Sequence, residues 1–313
     1  MKPAFSVIFL TTLLGAAQGL FLALFGTELT GLGHLPPTDQ RDLLVVGSLV
    51  ALLLSGLGLL ASFFHLGRPE RAWRSAAMWR TSWLSREVIA LPLFMLALVG
   101  YGTAHGLGWG GTRLIGSVAA LVCLALFVCT AMIYASVRFL QEWANPLTLL
   151  NYLLLGCASG LTLATLLAAL LGASTLIAPY ALAATTLTAL ACLTRSASLL
   201  RNARLRPKST LQSALGIKHP RIVQTAQGFM GGSFATQEFF HGRTTALLRS
   251  VKWAFMLLVF PLPLLCLAAG VLAASTGLLA LAFAVQYIGL LAERWFFFAQ
   301  ANHPQNLYYQ RIS

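Results

Sequence analysis

The sequence predicts an all-α polytopic membrane protein with eight transmembrane helices and both termini in the cytoplasm. Three observations predict it: a composition too apolar for water, eight apolar runs of spanning length, and basic residues confined to one side. Of 313 residues, 58% are hydrophobic and 9% charged, with a mean hydropathy of +0.79. A soluble domain carries roughly 25% charged residues. That difference excludes a water-soluble enzyme, a nucleic-acid-binding domain and a disordered chain. The net charge of +13 does not argue for DNA, because the basic residues fall between apolar runs.

A spanning helix needs about 20 mostly apolar residues. Residues about 5–26, 43–64, 87–104, 114–137, 147–171, 177–199, 252–274 and 277–298 meet that need and form a single membrane domain over 1–313. The first run is too long for a signal-peptide core and lacks a small-residue cleavage site, so it reads as a retained span. Gly15 and Gly19 give it a GxxxG packing signal. The sixth carries Arg195 in its last turns, where the side chain is expected to snorkel to the interface. The seventh carries Pro261 and Pro263, which should kink it. The five cysteines lie inside apolar runs without a CxxC pair and read as small apolar helix residues.

Eight spans place the termini and the even-numbered loops on one side. That side holds nineteen of the 21 basic residues: Lys2, Arg68, Arg71, Arg74, Arg80, Arg86, Arg138, ten from Arg195 to Lys252, Arg294 and Arg311. Arg41 and Arg113 alone face the other side. The positive-inside rule makes the richer side cytoplasmic. Two segments there stand out. In residues 65–86, Pro69 suits a first helical turn, Arg68, Arg71 and Arg74 recur every three residues with Trp73 and Trp79 nearby, and the segment reads as a short interfacial helix. Residues 201–250 form a basic loop with Gly228, Gly231, Gly232 and one acid, Glu238. A connection of that length is expected to be functional. It would either dock a soluble partner or lie on lipid as a basic patch.

Candidate chemistry rests on few residues. Acids near hydrocarbon are functional candidates by default, and Glu28, Glu87, Glu142 and Glu293 all lie close to span ends. Glu142 and Glu293 read as salt-bridge partners of Arg138 and Arg294. His65 ends the second span and Glu87 opens the third, so an imidazole and a carboxyl meet at one membrane face. Such a pair suits proton exchange with a quinone, which takes up two electrons and two protons on reduction. The bland alternative is a capping histidine and a helix-start glutamate. None of the six histidines falls in mid-span, which argues against a transmembrane haem ladder. Gln18 and Gln286 are the main strongly polar residues deep in the spans, thin support for a secondary transporter.

The stretches HLGRPERAW at 65–73 and SWLSREVIA at 82–90 resemble the anchor subunit family of dimethyl sulfoxide reductase. Members of that family carry His-Leu-Gly-x-Pro-x-Arg-Ala after the second span and Leu-Ser-x-Glu at the start of the third. The loop with QGFMGGSFATQEFFHG at 227–242 looks more like the family's sulfite-oxidising relatives. The resemblance implies an anchor of the bacterial cytoplasmic membrane that carries no haem, metal or catalytic residue itself. It implies a molybdopterin catalytic subunit and a ferredoxin-like iron–sulfur subunit as partners, and ubiquinone or menaquinone as the carrier. His65 and Glu87 match the family's quinol-site positions, with Arg68 and Arg71 beside them. Arg74, Arg80, Arg86, Arg201, Arg204, Arg206, Lys208, Lys218 and Arg221 would then complement an acidic patch on the iron–sulfur partner. The alternatives are a secondary transporter and a purely structural anchor without a quinone site.

Overall fold

The computed structural model describes residues 1–64, 66–206, 208–223, 225 and 239–309. Among these residues every regular element is helical, and eight helices are long and apolar enough to cross a membrane. In chain order they begin with α1 (Phe5–Thr30) and α2 (Pro37–Phe63). A 3-10 helix, Pro69–Ala76, precedes α3 (Trp83–Leu107), α4 (Thr112–Ala135), α5 (Pro146–Leu170) and α6 (Ser174–Ala203). A one-turn helix, α7 (Leu211–Leu215), lies in the long loop. The seventh span consists of α8 (Thr245–Val259) and α9 (Pro261–Leu272), and α10 (Thr276–Ala299) is the eighth. A short α11 (Asn306–Tyr309) follows.

Helix ends run past the apolar runs because local chemistry, not hydropathy, sets them. α2 opens at Pro37, with Asp39 in its first turn, ahead of the apolar run from residue 43. Proline suits that position because it has no N–H to leave unpaired, and an acid there favours the helix dipole. α3 opens at Trp83 because the Ser82 hydroxyl accepts from the Ser85 N–H at 3.4 Å. Glu87 is therefore the fifth residue of α3, one turn inside the helix. The kink anticipated from Pro261 and Pro263 is a full break at Phe260 (φ −108°, ψ −81°).

α1 and α5 form the centre of the bundle, with 78% and 61% of their most apolar stretches buried against 28–44% in the other spans. Their contact is glycine on glycine. Gly15 and Gly19 of α1 face Gly156 and Gly160 of α5, and a Cβ on Gly160 would overlap the backbone of Gly19 and Leu20. The GxxxG signal in the first span thus has a counterpart on α5. Small residues let the backbones approach where lipid supplies no hydrophobic drive for association. The outer helices show lipid-facing ridges, such as exposed Leu49, Leu53, Leu57 and Leu60 on α2. A stripe at that spacing belongs in hydrocarbon.

Deep polar side chains tie helices together. Gln18 Nε2 donates to the Cys123 carbonyl at 2.9 Å, joining α1 to α4. Gln286 Nε2 donates to Thr188 Oγ1 at 3.3 Å, joining α10 to α6. Asn151 joins α5 to α6 by donating to Ser198 Oγ at 2.9 Å and accepting from Thr194 at 2.8 Å. Met1 and Ala301 meet at one end of the bundle, where the Met1 nitrogen donates to the Ala301 carbonyl at 2.8 Å. By the order of the spans that end also carries the 3-10 helix.

Replacing Gly160 by valine should separate α1 from α5. Overpacking of this kind costs about 1–3 kcal/mol. A lowered melting temperature in detergent is expected for Gly160→Val, with a smaller effect for valine at Gly26, whose Cβ position meets nothing within 4 Å.

Candidate functional site

Glu87 is buried one turn inside α3, at 6% exposure. Thr130 of α4 donates its hydroxyl to Glu87 Oε1 at 2.5 Å. α3 also packs against the 3-10 helix, Pro69–Ala76, which carries Arg71 and Arg74. His65 lies outside the described residues, as does the stretch 226–238 with its glycines and Glu238. Arg68, Arg71 and Arg74 are exposed, and Arg71 Nε lies 3.9 Å from Glu70 Oε1.

The remaining basic candidates separate into two kinds. Arg80, Arg204, Arg206, Lys208, Lys218 and Arg221 are exposed. Arg86 instead turns back on its own loop, donating to the Trp79 carbonyl at 2.9 Å and the Arg80 carbonyl at 2.8 Å. Its guanidinium also sits 4.3 Å from the Trp83 ring centroid. Arg201 donates to the Gln141 carbonyl at 3.0 Å and to Asn202 Oδ1 at 2.9 Å. These two hold the connections in shape, while the others present charge.

A second polar cluster joins α6 to α10. Glu293 of α10 is fully buried between two arginines. Arg195 Nε of α6 is 2.7 Å from Glu293 Oε1, and Arg294 Nε is 2.5 Å from Glu293 Oε2. Arg195 is 2% exposed and does not snorkel. α6 continues to Ala203, which leaves Arg195 eight residues, about 12 Å, from the helix end. Its partner is internal. The sequence reading also gave Glu293 only its neighbour Arg294; the second arginine comes from another helix.

Two buried cations share one carboxylate, and aromatic faces take up part of the excess charge. The Arg294 guanidinium is 4.0 Å from the Tyr152 ring centroid and 5.1 Å from that of Phe297. Arg195 is 5.5 Å from the Phe255 centroid. Ring quadrupoles attract cations most strongly where water is absent. Tyr134, Trp143, Tyr152, Phe297 and Phe298 pack edge-to-face and stacked around this end of the bundle. The Trp143 N–H donates to the Phe297 carbonyl at 2.9 Å.

A small, partly open cavity is lined by one neighbour of each carboxyl group. Thr130, the partner of Glu87, lines it together with Thr12, Gln18, Tyr152 and Arg294. It has about 20 Å³ of water-sized space, room for a single water. Thr130 as the partner of Glu87, the triad and this cavity are candidate features that sequence reading missed. Intramembrane acids and arginines flagged the members; their pairing did not show.

The fold and this site define a membrane-integral helical subunit with ion-paired and hydrogen-bonded carboxyl groups buried among its spans. The chain belongs to the DMSO reductase anchor subunit (DmsC) family, whose model matches residues 1–300. It is 53% identical to a sulfite dehydrogenase subunit of Allochromatium vinosum over 326 aligned residues that cover 100% of both chains. The likeness carried by residues 65–73 and 82–90 therefore extends over the whole chain, which is a membrane anchor subunit.

Removing one partner of a buried ion pair costs about 3–5 kcal/mol, because the other charge is left uncompensated. Glu293→Gln leaves two such cations and should strongly lower the melting temperature and the level of protein in the membrane. Arg195→Met leaves one cation per carboxylate and should be milder. Equal losses in the two variants would contradict this reading of the triad.

Proposed function

We propose that this chain is the quinone-exchanging membrane anchor of a sulfite dehydrogenase-type molybdopterin oxidoreductase. Its partners are then an iron–sulfur ferredoxin-like subunit and a molybdopterin catalytic subunit. The observation that carries the reading is the buried Glu87 carboxyl, hydrogen-bonded by one hydroxyl, in a chain that matches the anchor family over residues 1–300. The name of the 53% identical relative supports the sulfite-oxidising branch, in which electrons flow from the partner's clusters into quinone.

The residues fit such a carrier. Quinone, when bound, supplies two-electron, two-proton redox chemistry. Glu87 has one oxygen occupied by Thr130 and can exchange a proton at its carboxyl group. His65 is the second proton-exchanging group, and Arg68 and Arg71 supply donors for a carbonyl oxygen. Exposed Phe64 and Leu84 border this segment and give apolar surface continuous with the bilayer. The cavity lined by Thr130 and Arg294 is too small for a quinone ring.

The exposed basic residues of both loops face the iron–sulfur partner in this reading and speed and orient its docking. The positive-inside count makes that face cytoplasmic. A transporter is supported less, because Gln18 and Gln286 are spent on joining helices.

His65→Ala and Glu87→Gln in the assembled complex should each reduce quinone-linked turnover by at least about tenfold. That is the lower end of what a positioned proton-transfer group contributes, scaled for partial rescue by water. Turnover with artificial soluble electron carriers should persist, and Glu87→Gln should alter the pH profile of the quinone-linked rate alone. Unchanged quinone-linked turnover in both variants would leave a purely structural anchor.

A further inference from the structure

At the end of the bundle away from the termini, α1 and α3 finish while α2 and α4 begin. Between them lies an open pocket with about 310 Å³ of water-sized space, within the range of small-molecule sites. Its lining is polar: Glu28, Gln40, Arg41, His105, Thr112 and Arg113, with Pro37.

The charges are ordered by depth. Glu28 is 6% exposed. Its Oε2 accepts from the Tyr101 hydroxyl at 2.6 Å, its Oε1 accepts from the Thr112 hydroxyl at 2.5 Å, and His105 Nε2 lies 3.5 Å from Oε2. Arg41 and Arg113 are exposed at the rim. One Nη of Arg41 donates to the Gly106 carbonyl, which fixes that guanidinium over the end of α3. The pocket thus has an anionic floor and a cationic rim. It complements a zwitterion that enters with its ammonium first and leaves an anionic group among the arginines.

Exposed Leu107, Trp109 and Leu114 flank the pocket on the α3–α4 connection. Tryptophan beside aliphatic side chains at a span end marks the depth of lipid head groups. Along α3, His105 is eighteen residues from Glu87, about 27 Å. The pocket is therefore separate from the site proposed above.

We propose that this pocket binds a phosphoethanolamine head group, with the ammonium on Glu28 and the phosphate between Arg41 and Arg113. The bilayer supplies that chemistry as an ethanolamine phospholipid, and water supplies it as free phosphoethanolamine. Carboxylate recognition of an ammonium with N–H donors discriminates against a trimethylated head group, which has none.

Native mass spectrometry of the full chain, released from nanodiscs containing equal amounts of ethanolamine, choline and glycerol phospholipids, reads the lipid source. Retention of the ethanolamine lipid over the choline lipid by at least about tenfold is expected, the factor given by one charge-assisted hydrogen bond. Glu28→Gln should abolish that preference while keeping phosphate binding, and Arg41→Ala with Arg113→Ala should lower retention of every phospholipid. Should Glu28→Gln fail to fold, Arg113→Ala alone carries the test, since its side chain is exposed. It should lower retention without changing the melting temperature in lipid-free detergent. In detergent without lipid, soluble phosphoethanolamine should raise the melting temperature more than inorganic phosphate does. That shift without a lipid preference would assign the pocket to the soluble source. Equal retention of all three lipids together with equal shifts from phosphoethanolamine and phosphate would overturn the proposal, as would a preference unchanged in the variants that fold.

Discussion

The hydrocarbon core contains no water to answer a polar group, so each one must be answered by the protein itself. Three buried carboxyl groups meet that constraint with different neighbours. Glu293 is held between two guanidinium groups, at 2.7 and 2.5 Å, and ties α6 to α10. Glu28 accepts two hydroxyls and faces an imidazole at the rim of an open pocket. Glu87 has a single hydroxyl partner from α4. The first is spent on holding two helices together, whereas the last is held by one hydroxyl. On the functions proposed above, the same side chain would serve as cement, as the floor of a ligand pocket and as a proton-exchanging group, according to what its helix neighbours supply.

The sequence made the helices and the polar members of these sites legible, but not their partners. Hydropathy found all eight spans because each is a local property of about twenty residues. Glu87 and its neighbours in 82–90 were legible because the motif is contiguous. Thr130 was not, because it is 43 residues from Glu87 and threonines recur throughout these helices. Arg195 looked able to snorkel because the apolar run ends at 199, whereas α6 reaches Ala203. Its partner Glu293 is 98 positions away, and only the packing of α6, α5 and α10 brings them together. The GxxxG of α1 was visible, but its meaning depended on Gly156 and Gly160, which only the α1–α5 crossing selects. What escaped was long-range pairing, which residue type and spacing do not encode.

The bundle also keeps its two ends apart, and that separation bears on the proposed chemistry. Between the Glu87 region and the Glu28 pocket, Phe21 stacks with Phe25 and meets Phe94 and Tyr101 edge-on, with ring centroids 5.5–6.1 Å apart. Leu20, Leu24, Leu43 and Leu98 fill the same core and are fully buried. The small cavity reaches only to Gln18, on the termini side of this layer. A proton relay needs consecutive hydrogen-bonding groups, and the hydroxyls described in this layer are engaged locally: Tyr101 donates to Glu28, Tyr180 pairs with Thr27, and Ser48 donates to the Leu44 carbonyl. Protons exchanged at Glu87 would therefore come from and return to the termini side. If the iron–sulfur partner docks on that same side, electrons and protons enter quinone from one face, and turnover moves no net charge across the bilayer. In that arrangement the apolar middle of the bundle keeps the redox reaction uncoupled from the membrane potential.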